Sequence, residues 1–248
     1  MAYTAGDGIS YNISIVSDGR ENGSSSSEST RWAHWGLAFT GVDLSLVDSA
    51  IQGVPLSATG PLLACWRYGS SGAVHIQANS SAVRLHGTKL ERNTAECGSG
   101  GAIYVDCSVV TLTVDGNSTI SGNSANDYGG AIYVFGTVYS LTVDGSSAIS
   151  GNSAGKRGGA ICCVGYVDTF TVDGNSTISG NHARNGGAIS VSGDLDRLTV
   201  DGSSVISGNS AAWGGAIFVD RIVYNLIVDG NSTISGNVAN DYVTSSSW

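Results

Sequence analysis

Three short motifs recur along the chain at one fixed spacing. Gly-Gly-Ala-Ile begins at Gly100, Gly129, Gly158, Gly186 and Gly214. Val-Asp-Gly places its carboxylate at Asp115, Asp144, Asp173, Asp201 and Asp229. Ile-Ser-Gly-Asn ends at Asn123, Asn152, Asn181, Asn209 and Asn237. All three step by 29, 29, 28 and 28 residues. A unit of this length cannot bury an apolar face by itself, so its copies must stack on one another, and a fixed period of this size marks a solenoid.

The pattern inside one unit gives the element type. Between Gly101 and Gly129, residues 101–105 alternate, with Ile103 and Val105 on one side and Tyr104 on the other. Residues 111–115 alternate again, with Leu112 and Val114 against Thr113 and Asp115, and Ile120 is the apolar member of a third short run. Period-two runs broken by Gly, Asn, Asp and Ser are strands joined by turns. Aligning the units gives inward columns without a polar member. They begin at Ile103, Val105, Leu112, Val114 and Ile120, and a looser sixth column begins at Val109. The expected fold is therefore all-β, a right-handed parallel β-helix of about six coils of 28–29 residues with an irregular N-terminal cap. The first coil is degenerate: Gly72-Ala-Val-His-Ile stands 29 residues before Gly101-Ala-Ile-Tyr-Val, and His86-Gly87 stands 29 before Asp115-Gly116. Residues 1–71 read as an irregular segment and cap, and 72–248 as the repeat domain. The cap would be built from 30–71 with one or two irregular coils and Trp32, Trp35 and Trp66, behind a Gly/Ser-rich mobile loop at 18–30. At the other end the chain runs out after Asn240 in a segment closing with Trp248, so the last strand edge is expected to be thinly covered or to meet another molecule end to end.

Charge narrows the partners. The net charge is −9 and the pI about 4.6, which disfavours nucleic acid and anionic membrane surfaces. No stretch approaches the roughly 20 apolar residues of a membrane span. The N-terminus has neither the basic nor the apolar region of an export signal. Cys65, Cys97, Cys107, Cys162 and Cys163 follow no metal-ligand spacing and are expected to be inert packing thiols.

Several outward columns are candidates for function. The Asp column (Asp115, Asp144, Asp173, Asp201, Asp229) stacks like charges, whose pKa values should rise unless a cation or donors compensate. It is either a Ca²⁺-binding or glycan-binding stripe, or a row of Asx-turns in which each carboxylate accepts N–H groups following its Gly. The Asn column is expected to be an internal amide ladder. Tyr104 and Tyr133 are read as exposed rings that, with Tyr139, Tyr166 and Phe218, form a strip able to stack on sugars. Lys156, Arg157 and Arg184 fall in neighbouring turns as a small basic patch. Thr113 and its copies invite comparison with ice-binding arrays, which Arg197 and the Asp column spoil. Sequons at Asn117, Asn175 and Asn231 share one turn column.

The pairing of Gly-Gly-Ala-Ile with Ile-Ser-Gly-Asn resembles the repeats of the chlamydial polymorphic outer-membrane proteins, marked by GGAI and FxxN tetrapeptides. Ile120 and its copies stand where that family has Phe, and Asn123 and its copies match its Asn. The broader look is that of pectin-lyase-like right-handed β-helices. The resemblance spans about residues 72–240. It implies an extracellular or cell-surface, adhesin-like scaffold contacting glycans or surface proteins; the uniform polar residues of the repeats add the expectation of no catalysis and of no cofactor other than Ca²⁺ on the Asp column. A carbohydrate-active β-helix enzyme or its inactive remnant is the alternative, and an ice-binding or filament-forming protein a minor one. A catalytic break in the repeat, where carboxylates and a base converge, is not legible in the spacing.

Overall fold

The structure is a computed structural model. It describes residues 72–77 and 80–240, together with the short segments 10–11, 14–16, 37–40, 44–47, 49–52 and 55–56. The expected loop at 18–30, the three cap tryptophans, the boundary at 71 and the C-terminal segment 241–248 lie outside the described residues.

The chain winds as a parallel β-solenoid, and the described residues contain no helix. The coil from 101 to 129 shows why. Its period-two runs form Ile103–Val105, Val109–Asp115 and Thr119–Ser121. Each pairs in parallel with its own copy in the next coil: Ile103 lies opposite Ile132, Leu112 opposite Leu141 and Ile120 opposite Ile149. The register continues through Ile132–Ile161, Ile161–Ile189 and Ile189–Ile217. Three long sheets result: seven strands for the Gly-Gly-Ala-Ile run, eight for the Val-Asp run and eight for the Ile-Ser run. They are called here the GGAI, Asp and Ile-Ser sheets.

The structure adds a fourth side that the three-strand expectation lacked. Ser124–Ala125 and its copies form a narrow sheet in two pieces, four strands and two, joined through single bridges at His182. A two-residue strand is too short to display a period, and its one inward member is a small Ala.

The apolar columns run through the interior as expected. Ile103, Val105, Leu112, Val114 and Ile120 are fully buried, as are their copies through the coil at 187–214, with Phe170 in the Leu112 column and Cys163 in the Val105 column. In the last described coil, Val223, Leu226 and Val228 of the same columns are exposed. At the other end, Val74, Leu85 and Leu90 pair with Ile103, Val114 and Ile120, so the degenerate coil is a true turn of the solenoid. The winding goes further back. Leu37–Thr40, Leu44–Val47, Ala50–Gln52 and Pro55–Leu56 each pair in parallel with a strand of that coil.

The corners are held by polar groups that repeat with the coil. Asn123 Nδ2 donates to Asn152 Oδ1 at 2.9 Å and to the Leu90 carbonyl at 2.9 Å, while its main-chain N–H donates to the same Asn152 Oδ1 at 2.9 Å. The arrangement repeats up to Asn237. Each internal amide thus uses both side-chain protons and receives two bonds on its oxygen, which makes a buried polar column tolerable. A second ladder, absent from the expectations, runs through Thr88, Ser118, Ser147, Ser176 and Ser204. Each hydroxyl oxygen from Ser118 onward accepts the main-chain N–H of the preceding rung, and Ser118 Oγ donates to the Asp115 carbonyl at 2.6 Å.

The glycine pair before Ala-Ile has two separate causes. Gly100 and its copies have φ between 60° and 67°, a left-handed conformation. The second glycine is held by proximity: a Cβ on Gly101 would lie 2.3 Å from the Gly130 carbonyl oxygen, and one on Gly130 2.2 Å from that of Gly159.

Two substitutions test these corners by urea unfolding. Asn152→Ala removes the acceptor for both Asn123 donors and should cost at least about 2 kcal/mol. Arg92 occupies, at φ 56°, the left-handed slot that Gly122 fills one coil later. Arg92→Gly should therefore stabilise the chain by a few tenths to about 1 kcal/mol, strain relief exceeding the added chain entropy.

Candidate functional site

At the Asp corner the carboxylates are already engaged. The Oδ1 atoms of Asp144, Asp173, Asp201 and Asp229 accept the N–H of the following glycine at 2.5–2.8 Å. The expected donors were residues beyond that glycine; the turn instead folds the carboxylate back onto the glycine itself. Gly116 and Asn117 both have positive φ, and the Ser118 N–H donates to the Asp115 carbonyl at 3.3 Å, the pattern of a type I′ turn. The glycine also makes room between coils: a Cβ on Gly174 would lie 2.0 Å from Asp144 Oδ1. Among the described residues no group of three or more His, Cys, Asp or Glu is placed to hold a metal ion.

Asp115 differs because the degenerate coil beneath it carries Arg84 where later coils have Thr, and His86 where they have Asp. Arg84 donates to Asp115 Oδ2 from Nη2 at 2.7 Å and from Nε at 3.1 Å, and His86 Nδ1 lies 2.8 Å from Oδ1. Burial works to raise this carboxyl, but the bonds and charges of Arg84 and His86 outweigh it and hold it below the ordinary carboxylate value. The expected rise is thus reversed at this position by donors.

The aromatic strip is rearranged. Tyr104 and Tyr133 lie on the outer side of the GGAI sheet, yet both are buried, in a cluster with Cys162. Their rings stack at 5.0 Å; His75 meets Tyr104 edge-on at 4.9 Å, and Tyr128 lies parallel to Tyr133 at 6.1 Å. Strands Ile103–Val105, Ile132–Val134, Ile161–Cys163 and Ile189–Val191 are buried on both faces, so the expected exposure of Tyr104 and Tyr133 does not hold. The physical reason is that neighbouring turns reach over this face. Phe218, in the same column, is partly covered, with the Arg157 guanidinium 5.6 Å from its ring centre. Tyr139 and Tyr166 belong to the next corner, at the start of the Asp sheet. Tyr139 is exposed. Tyr166 Oη donates to Asp196 Oδ2 at 2.5 Å, and that bond, with burial and the charges of Asp196, Asp168 and Asp194, pushes its phenol up to about 12.

The basic residues do not form a free patch. Lys156 Nζ pairs with Asp127 at 2.8 Å and lies over the Tyr128 ring. Arg157 pairs with Asp220, two coils on, and its Nη1 is 3.4 Å from Ser192 Oγ. Arg184 lies over the Trp213 ring at 5.5 Å. The turn column to which Arg157 belongs reads Tyr128, Arg157, Asn185, Trp213 through consecutive bridges. Its period was available in the sequence, but the reach of Arg157 across the sheet was not.

The cysteines divide. Cys97 is disulfide-bonded, against the expectation of inert thiols, and its partner lies outside the described residues. Cys162 and Cys163 are free, and both they and Cys107 are buried. Burial pushes the Cys162 thiol up to about 12 and raises Cys163 as well, so both stay protonated at neutral pH.

Four segments match the model of the Chlamydia polymorphic membrane protein repeat: 117–134, 146–164, 175–192 and 203–220. Each runs from the turn after Asp-Gly, through the Asn ladder, into the GGAI strand. No curated protein and no solved structure matches the chain. The shared tetrapeptides have structural work in every coil: glycines that turn and admit the next coil, a buried Ala and Ile, and an amide in the ladder.

A pH series isolates the Asp115 cluster. The folded carboxyl titrates below its unfolded value, so its contribution is present above the unfolded pKa and is lost as pH falls through the folded one. Asp115→Asn should melt a few degrees below wild type at pH 7, and the gap should close as pH falls from about 4 to about 2.

Proposed function

We propose that the chain is a non-catalytic repeat scaffold displayed on a surface, which holds the outer side of its GGAI sheet and the bordering corners towards a partner in the manner of an adhesin. The observation that carries this is a comparison of the chain with itself. Where a side chain serves the stack, the regular coils repeat it: the Asn and Ser ladders, the Asp-Gly turn and the Gly-Gly corner recur in each. Where the coils differ, the stack imposes no demand, and the residue is free to serve another purpose.

Differing residues stand on every sheet, as in Thr111, Ser140, Thr169, Arg197, Asn225 and in Thr119, Ala148, Thr177, Val205, Thr233, but the aromatic ones gather on one side. The outer GGAI column reads Tyr104, Tyr133, Cys162, Ser190, Phe218. The corner after it reads Phe135, Val164, Ser192, Asp220, and the first outward column of the Asp sheet reads Val110, Tyr139, Asp168, Asp196, Tyr224. Phe135, Tyr139 and Tyr224 are each more than half exposed, which is uncommon for rings on a monomer and usual at contact surfaces.

Catalysis gains no such support. The carboxylates of the Asp column are tied to their own turns, and the buried thiols are protonated. Display outside the cell accords with the membrane-protein repeats matched above and with the disulfide at Cys97, since disulfides persist in oxidising compartments.

The reading is tested by binding of the labelled chain to cultured epithelial cells and to matrix-coated plates. The Phe135→Ala, Tyr139→Ala, Tyr224→Ala triple variant should bind at least about tenfold more weakly, since contact energy concentrates in aromatic anchors. A Ser121→Ala, Ser150→Ala, Ser179→Ala variant on the Ile-Ser sheet should bind as wild type. Equal binding by all three proteins, or release of reducing sugars from a polysaccharide panel, overturns it.

A further inference from the structure

The outer GGAI column breaks in the middle. Tyr104 and Tyr133 stack, Phe218 follows two coils after Cys162, and between the rings stand only Cys162 and Ser190. Ser190 is fully buried and its Oγ has no hydrogen-bond partner. Its neighbours along the ladder are a protonated thiol and a phenyl ring. A hydroxyl so placed is costly to bury, and nothing in the stack requires it, because Tyr, Cys and Phe fill the same slot elsewhere.

Arg157 spans this break. It starts from the turn before one GGAI strand and reaches Asp220, which follows a GGAI strand two coils later. On the way its guanidinium passes within 3.4 Å of Ser192 Oγ and lies over the Phe218 ring. Donors on Arg157, acceptors on Asp220, two hydroxyls and a ring are thus gathered within three coils. Such a set suits a pyranose, whose vicinal hydroxyls bridge a donor–acceptor pair while its C–H face rests on an aromatic ring. The charges of the pair cancel, so an acidic sugar would meet Asp220 and the net charge of −9, and a cationic ligand would meet Arg157. Trp213 lies two coils beyond Arg157 on the same turn column, about 10 Å away at the usual strand spacing, and is exposed, with Arg184 over one face of its ring and the other face left for a ligand. That is the reach of a second sugar unit.

We propose that this break is a subsite for a neutral sugar ring, held by Arg157, Asp220, Ser190 and Ser192, with Trp213 under the next unit. The proposal rests on the contact-face reading above and names its ligand class. Entry of the sugar requires Arg157 to turn aside from Asp220, Ser192 and the Phe218 ring, and the buried Ser190 Oγ to become reachable beside them. The Arg157 side chain starts on a turn and is partly exposed, so only its rotamer has to change.

Saturation-transfer NMR with lactose, maltose, cellobiose and N,N′-diacetylchitobiose tests it. At least one should give transfer to its ring protons on the wild-type chain, and glucuronate and galacturonate should give none. Arg157→Ala should weaken the binding tenfold or more, and Trp213→Ala should weaken the disaccharide but not its monosaccharide. Ser190→Ala separates function from structure. It removes an unpartnered hydroxyl, so the free protein should melt slightly higher while sugar binding falls at least fivefold. A purely structural serine would leave binding unchanged. Absence of transfer from every neutral sugar, binding confined to the acidic ones, or wild-type affinity in Ser190→Ala and Arg157→Ala overturns the subsite. If those two variants bind cells as wild type while the Phe135, Tyr139, Tyr224 triple variant does not, the contact face stands and the sugar subsite falls.

Discussion

The fold depends on strict superposition of like on like. In a parallel stack every side chain sits over its counterpart, about 4.8 Å away, so whatever is good or bad about one residue is repeated along the axis. Apolar columns profit without further conditions. Polar residues survive inside only if they can bond to a copy of themselves. Asn meets that demand with two donors and an oxygen that accepts twice, and the ladder from Asn93 to Asn237 uses all of them. Ser meets it by receiving an N–H from one coil and donating to a carbonyl. A lone carboxylate column cannot, and from Asp144 onward the chain turns each one onto its own glycine instead.

The same logic explains where the repeat must stop being a repeat. The first carboxylate of the column, Asp115, faces a coil that offers Arg84 and His86 in the positions of Thr and Asp. The charge of the column is thereby met at one end by the Arg84 guanidinium and the His86 ring. Arg157 and Asp220 show a second kind of departure, an ion pair drawn between coils that are not neighbours. The interior ladders join adjacent coils, whereas this pair skips one and crosses the outside of a sheet. It is expendable for winding, and so it stands apart from residues such as Asn152, whose loss would leave the coil beneath it unsatisfied.

Much of this was legible in the residues. Period and alternation together identify the inward columns, because a one-residue shift would turn each column outward, and the pairing of Ile132 with Ile161 follows. The Asn ladder was legible for the same reason: an amide at a fixed period has its copy as nearest neighbour. Alternation is silent on what covers an outward side chain. Tyr104 and Tyr133 alternate with core residues as a surface pair would, and they are buried because turns outside the sheet lie over them. Nor does spacing reveal how far a long side chain reaches. Lys156, Arg157 and Arg184 fall in adjacent turns, yet the first two are spent on Asp127 and Asp220. The narrow fourth sheet escaped because two residues cannot show a period, and its interruption at His182 is a change of residue within a column that had not been recognised.

A repeat chain therefore locates its own function by subtraction. Identity between coils measures what the stack demands, and it accounts for both shared tetrapeptides down to individual atoms. Such motifs specify the winding and leave the partner undetermined, so any chain that carries them can recognise something different. On the contact-face reading proposed above, recognition falls to the columns that the stack leaves unconstrained. Here the aromatic members of those columns lie on one sheet and its corners, where the residue changes from Tyr to Cys to Ser to Phe over consecutive coils while the backbone register stays fixed. Because the register is the same whichever residue stands there, one winding accommodates different side chains at these positions, and a rigid ladder presents whatever they carry at a constant spacing.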